Sequence, residues 1–369
     1  QVGFADEKTV LFYCVPWSKA LLKSTDYGAT FAPFACGMSS KGNKHFSAHG
    51  STLAHAFGEY GFAVSENGGL SWKGFSHTNT PLLNTLYAAS KIDYPSDKES
   101  DHRRGMGVAV NPDNPDELIG TYANAQYIIK ITKNGDAWEF TDTGAVAPGN
   151  SICRWTDDGN IYAGSMCSRD GGNTWFDTGK QILAVSAANG RLLVGQIQPE
   201  KVNSPDWQLY LSKDGGDSWS EIPDPPLETM PGTSRNFYPT TIEGLKGMQL
   251  QAGVAIDHRS EFDPTLNPDN GIRILMAGRR GIYEFTADEA SGTTGTWSVY
   301  NQGMEAHYRY NVLEPVPWMR HVLIDPRPGK AHIVYAVREN APNKWNNYYN
   351  ANQRYDSGIP IDPVYRSMD

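Results

Sequence analysis

One eight-residue stretch limits what this chain can fold into, because it recurs. Ser168-Arg169-Asp170-Gly171-Gly172-Asn173-Thr174-Trp175 has a near copy in Ser212-Lys213-Asp214-Gly215-Gly216-Asp217-Ser218-Trp219. Ser65-Glu66-Asn67-Gly68-Gly69-Leu70-Ser71-Trp72 and Ser24-Thr25-Asp26-Tyr27-Gly28-Ala29-Thr30-Phe31 are looser copies. Thr132-Lys133-Asn134-Gly135-Asp136-Ala137-Trp138 is a version one residue short. The pattern has the chemistry of a tight hairpin between two strands. The side-chain oxygen of Asp26, Asn67, Asn134, Asp170 or Asp214 can accept hydrogen bonds from the turn's own N–H groups, and the following Gly supplies a positive φ. The closing aromatic anchors the turn in the sheet packing.

Repeated in this way, the turn resembles the Asp-box of the bacterial-neuraminidase repeats, so the chain is similar to the Asp-box β-propellers. That group includes sialidases, tandem-propeller xyloglucanases and sortilin-type receptors. The resemblance implies an all-β fold, a single β-propeller domain over 1–369, with each box between strands C and D of a four-stranded antiparallel blade. The box is structural throughout the group, so it implies a fold and leaves function open.

Working outward from the boxes, the A–B turns count seven blades, with six or eight as the alternative. Blade one has only Gln1 to Phe4 for its strand A, and blade four, Ser151 to Phe176, is very short. The segment Asn111-Pro112-Asp113-Asn114-Pro115-Asp116 reads as the A–B turn of blade three, a pattern also like the xyloglucanases. Residues 338–369 read as an irregular Asn- and Tyr-rich tail that completes the closing blade or the first. The connection from Ser76 to Gly105 reads as a long loop on the upper face, and loops of that length usually carry function or are mobile.

The four cysteines are Cys14, Cys36, Cys153 and Cys167. On the implied blade topology each successive pair lies at the upper rim of one repeat. Two local disulfides, 14–36 and 153–167, are therefore expected, and with them an oxidising, extracellular compartment; free buried thiols are the other reading. No Cys-x-x-Cys is present and the Asn-Pro-Asp turn lacks calcium-ligand spacing, so neither a metal site nor a cofactor is expected. The formal net charge of −9 argues against nucleic acid as a partner. No apolar run reaches the length of a membrane span, so membrane insertion is not expected.

In enzymes that this chain resembles, substrate binds on the upper face, away from the boxes. The upper-face connections supply Glu305, His307, Tyr308 and Glu243 as candidate catalytic groups, able to exchange protons or attack an anomeric carbon. Arg279, Arg280, Arg309, Arg235, Tyr238, His102 and Arg103 are the candidate substrate-binding groups, through bidentate pairing with carboxylates and stacking on sugars. Taken singly, each is more often a solvated corner or a rim residue with a local hydrogen bond. Sialidase chemistry is not expected, because the family's Arg-Ile-Pro motif is absent and the first blade holds no arginine. The implied function is an extracellular carbohydrate-active propeller, a glycoside hydrolase or lyase acting on an oligo- or polysaccharide. The alternative is a non-catalytic glycan-binding or assembly propeller of a cell surface, filament or phage particle, with partner subunits or self-assembly.

Overall fold

A computed structural model of the chain describes residues 2–4, 8–13, 21–26, 29–30, 32–34, 43–58, 60–93, 102, 104–147, 153–186, 190–197, 208–223, 253–258, 271–278, 281–287, 293–300, 307–309, 312–314, 319–325, 334–338 and 364–367. They fall into two units, 1–222 and 223–369.

The first unit is a succession of four-stranded antiparallel meanders. They run from β1 (Val2–Phe4) to β4 (Ala32–Phe34), β5 (Asn43–His49) to β8 (Lys73–Phe75), β9 (Gly105–Val110) to β12 (Ala137–Val146), β13 (Cys153–Trp155) to β16 (Phe176–Asp177), and β17 (Gln181–Val185) to β20 (Ser220–Ile222). Each strand pairs with the next in sequence, and the first strands β1, β5, β9 and β13 pack in series. A sheet covered on both faces needs apolar side chains at both parities of its strands. That explains β6 (Thr52–Phe57), which is buried along its whole length. The last strand of a meander meets water, and β12 accordingly mixes exposed and half-buried positions around buried Trp138.

Three apolar layers join consecutive sheets. Val64 and Phe62 meet Val108, Leu118, Ile129 and Ile131. On the other face of that third sheet, Ala109, Ile119 and Ile128 meet Cys153, Ile161 and Ala163. Tyr162 and Cys167 then meet Ile182 and Leu193. Complete burial of one such Ile or Leu contributes about 1.5–3 kcal/mol.

Residues 76–105 do not form an open upper-face loop throughout: they contain the helix α1 (Pro81–Asp93). Pro81 takes the first helical position, where its missing N–H costs nothing, and Asn84 N–H donates to Thr80 O at 3.1 Å. Leu83 and Leu86 turn inward and join the layer that holds Phe75, Trp138 and Tyr122. The helix thus serves as packing against the outer strand β12.

The second unit contains β21 (Val254–His258), β22 (Ile272–Gly278), β23 (Gly281–Ala287) and β24 (Gly295–Val299) in one meander. A two-stranded ribbon, β25 (His307–Arg309) and β26 (Val312–Glu314), follows. The last sheet is β27 (Met319–Ile324), β28 (Val334–Arg338) and β29 (Val364–Ser367). The tail therefore does supply a strand, and it joins the last sheet by pairing Val334 with Ser367. Leu275, Ala277 and Ile282 pack on Met319, Val322, Ile324 and Val334.

The expected 153–167 disulfide is absent: both thiols are free and buried. Cys153 is in register with Ala163, and Ala163 with Met166, whereas Cys167 is in register with the next residue back, Tyr162. Neighbours along a strand point to opposite faces, so the two cysteines leave the sheet on opposite sides with β14 (Ile161–Ala163) between them. Burial pushes both thiols up to about 12. Cys14 and Cys36 lie outside the described residues.

Candidate functional site

The recurring turns are built alike. In the third-strand-to-fourth-strand turn at Ser168, that hydroxyl donates to Asp170 Oδ1 at 2.9 Å and accepts the Gly172 N–H at 2.9 Å. Asp170 then accepts the Thr174 N–H at 2.9 Å and its hydroxyl at 2.6 Å. Ser212 and Asp214 repeat this with Gly216 and Ser218, and Ser24 and Asp26 bond Thr30 in the same way. Asn67 keeps the geometry with an amide, whose Nδ2 donates to Ser71 Oγ at 2.8 Å. Gly171 and Gly172 stand at φ 71° and 86°, the left-handed conformation that a side chain would strain. Hydrogen bonds from Thr30 and Thr174 hold Asp26 and Asp170 down at about 2, so both stay ionised.

Asn134 departs from this set. Its turn is a two-residue hairpin, with Asn134 paired to Ala137 and Gly135 at φ 61°, and its amide donates to Glu139 Oε1 at 2.9 Å. One residue fewer leaves no room for the side-chain bridge to the turn's far end.

The turns also tie sheet to sheet. Glu66 accepts from Lys133 at 2.9 Å and from the Trp138 indole at 2.8 Å. Lys130 reaches Gly171 O at 3.2 Å, and Arg169 pairs with Asp217 at 2.7 Å. This face is occupied by structural contacts.

Of the sequence candidates, His102, His307, Tyr308 and Arg309 fall within the described residues. Glu305, Glu243, Arg235, Tyr238, Arg103, Arg279 and Arg280 lie outside the described residues. His307, Tyr308 and Arg309 form strand β25, in register with Glu314, Leu313 and Val312. His102 is 2% exposed and its ring nitrogen lies 3.1 Å from the Ser90 hydroxyl of α1.

Two groups that the sequence did not single out lie on the first strands. His45 on β5 is buried, with Nδ1 2.8 Å from Val108 O. Burial, and then the charge of Arg154, push it down to about 3. Arg154 sits at the centre of β13, and burial pushes its own pKa down although part of its surface meets solvent. A lone arginine in a three-residue strand carries no motif, so no sequence signal marks it.

No protein-family model matches the chain, and no curated protein matches it. Solved structures do. A GH74 xyloglucanase from Xanthomonas campestris is similar at TM-score 0.51 and 12% identity, over 100% of this chain and 59% of that one. YCF48 bound to D1 peptide is similar at TM-score 0.48 and 12% identity, over 91% and 88% of the two chains. The β-propeller domain of Cps50 (Swd1) from Myceliophteria thermophila is similar at TM-score 0.48 and 10% identity, over 92% of each. At such identities a likeness speaks of fold alone. With its successive four-stranded antiparallel meanders, the chain has the fold of an all-β propeller.

Proposed function

We propose that the chain is an extracellular, carbohydrate-directed propeller of the Asp-box kind, forming one domain over 1–369 and binding an oligo- or polysaccharide. Cleavage of that glycan, by hydrolysis or elimination, is assigned to Glu305, His307, Tyr308 and Glu243, and recognition to Arg309, Arg279, Arg280, Arg235, Tyr238, His102 and Arg103. The observation that carries the reading is the likeness to the xyloglucanase over the whole of this chain. The shared bonding of the Ser24, Ser65, Ser168 and Ser212 turns supports the Asp-box assignment. The chain spans 59% of that xyloglucanase, so the enzyme's whole cleft is not carried over with the fold. Binding is therefore the core of the proposal, and turnover is its second step.

The test is binding to a panel of neutral and acidic polysaccharides by calorimetry, followed by product assays. New reducing ends indicate a hydrolase and ultraviolet absorbance of an unsaturated uronate indicates a lyase. Saturable binding without either product leaves a non-catalytic binding propeller. Arg309→Ala combined with Arg280→Ala is expected to weaken binding far more than it lowers the melting temperature. A folded protein that binds no glycan overturns the reading.

A further inference from the structure

Among the arginines whose side chains are described, all but one face an acceptor. Arg169 pairs with Asp217, Arg191 lies 3.8 Å from Asp158, Arg273 pairs with Glu284, and Arg104 donates to Asn124 Oδ1 at 3.2 Å. Arg154 has no carboxylate at ion-pair distance among the described residues. Cys153 turns toward the third sheet, where Sγ lies 3.5 Å from Ile119 O; Arg154 stands next to it on the strand, in register with Tyr162, and its charge bears on His45. The Tyr162 hydroxyl donates to Gly190 O at 2.8 Å and is already committed there.

A cation held among protein atoms without a counter-charge costs stability, and replacing it with an apolar residue of similar length is often neutral or favourable. The fold gains nothing visible from this charge. Arg154 is half-buried, so part of its surface meets solvent. Beyond β9, on β5, His45 is neutral at ordinary pH and adds no second cation. One guanidinium with a planar donor fork matches a monoanion, and a carboxylate fits that fork with two parallel hydrogen bonds.

We propose that Arg154 is the binding group of an anion site on the first strands of the first unit, and that its ligand is a carboxylate, as carried by a uronic acid. Arg154 belongs to the first unit and β25 to the second. The site also stands apart from the glycan reading, since a protein that ignores every polysaccharide but holds glucuronate through Arg154 leaves it intact.

Calorimetric titration with glucuronate, with glucose as the neutral control, tests it. The wild-type protein binds glucuronate and not glucose. Arg154→Lys, which keeps the charge and loses the fork, binds roughly tenfold more weakly, and Arg154→Met loses binding. Melting temperature without ligand stays level or rises in Arg154→Met, which separates lost binding from lost folding. An independent readout is the titration of His45 by NMR. The groups that bear on it are Arg154, His55, the Val108 carbonyl and the amino terminus. Removing the Arg154 charge, or neutralising it with bound glucuronate, raises the His45 pKa. No glucuronate binding by the wild type, equal binding by Arg154→Met, or a His45 titration indifferent to both changes overturns the proposal.

Discussion

Thr174 donates to Asp170 twice, through its amide to Oδ1 at 2.9 Å and through its hydroxyl to Oδ2 at 2.6 Å. Both bonds require the ionised carboxylate as a double acceptor, and they hold its pKa near 2 against an ordinary value of 3.8. Thr30 does the same for Asp26. A carboxyl whose folded pKa is depressed contributes stability that is present above its unfolded value and lost as pH falls through the folded one. Denaturant midpoints are therefore expected to drop between about pH 4 and pH 2. Asp170→Asn flattens part of that limb while keeping the turn, since Asn67 already serves in the second sheet with Ser71 reversed from donor to acceptor. An Asp170→Asn protein with the wild-type acid limb would separate the limb from this turn.

The serine that opens the turn is the more buried partner. Ser168 is 0% exposed, and its hydroxyl serves Asp170 and the Gly172 N–H together. Ser168→Ala leaves that buried N–H without its acceptor, for an expected loss of about 1–2 kcal/mol in urea denaturation. Ser24→Ala, Ser65→Ala and Ser212→Ala are expected to behave alike. A loss confined to one of the four would break the equivalence of the turns.

A second acid-sensitive element is the buried histidine pair of the second sheet. Burial pushes both His45 and His55 down to about 3, from an ordinary 6.5. His55 stacks on Phe57 at 4.3 Å between centroids, a surrounding suited to a neutral ring. The unfolded chain binds protons between those two values and the folded chain does not, so stability falls as pH drops from about 6.5 toward 3. This limb precedes the aspartate one. Midpoints that stay flat between pH 6.5 and pH 4 would show that these rings titrate normally in the fold.

How much of this was legible depended on the range of the interaction involved. The turns could be read because serine, aspartate, glycine and the closing aromatic bond within eight residues of one another. The strands between them could be read because sheets covered on both faces are built mainly from apolar residues, as in β6 and β7 (Gly61–Ser65). The cysteines were misjudged because rim position was weighed and strand parity was not: Cys167 pairs with Tyr162, one residue short of the partner of Cys153. The helix was missed although Thr80-Pro81 followed by Leu83, Leu86 and Ser90 has helical spacing, because the flanking blades made a connection the expected reading. Arg154 was invisible for a different reason. Its interest lies in the absence of a described carboxylate beside it, and only coordinates show that.

Gly105 carries the last prediction, because two backbones meet there. A Cβ on Gly105 would stand 2.1 Å from Gly61 O and 3.2 Å from Phe57 N, atoms of the turn that joins β6 to β7. Neither is the end of a flexible side chain, so relief requires shifting β9 or that turn. Gly61 is itself confined, at φ 104° and with Phe75 O 2.4 Å from its own notional Cβ, so the turn has no room to withdraw. Gly105→Ala is expected to cost about 3 kcal/mol, at the upper end of ordinary overpacking. Gly74→Ala, in the neighbouring second sheet with open space around its notional Cβ, is the control and should change stability by less than about 1 kcal/mol. Equal melting temperatures for the two variants would mean that the second and third sheets approach less closely than this contact requires.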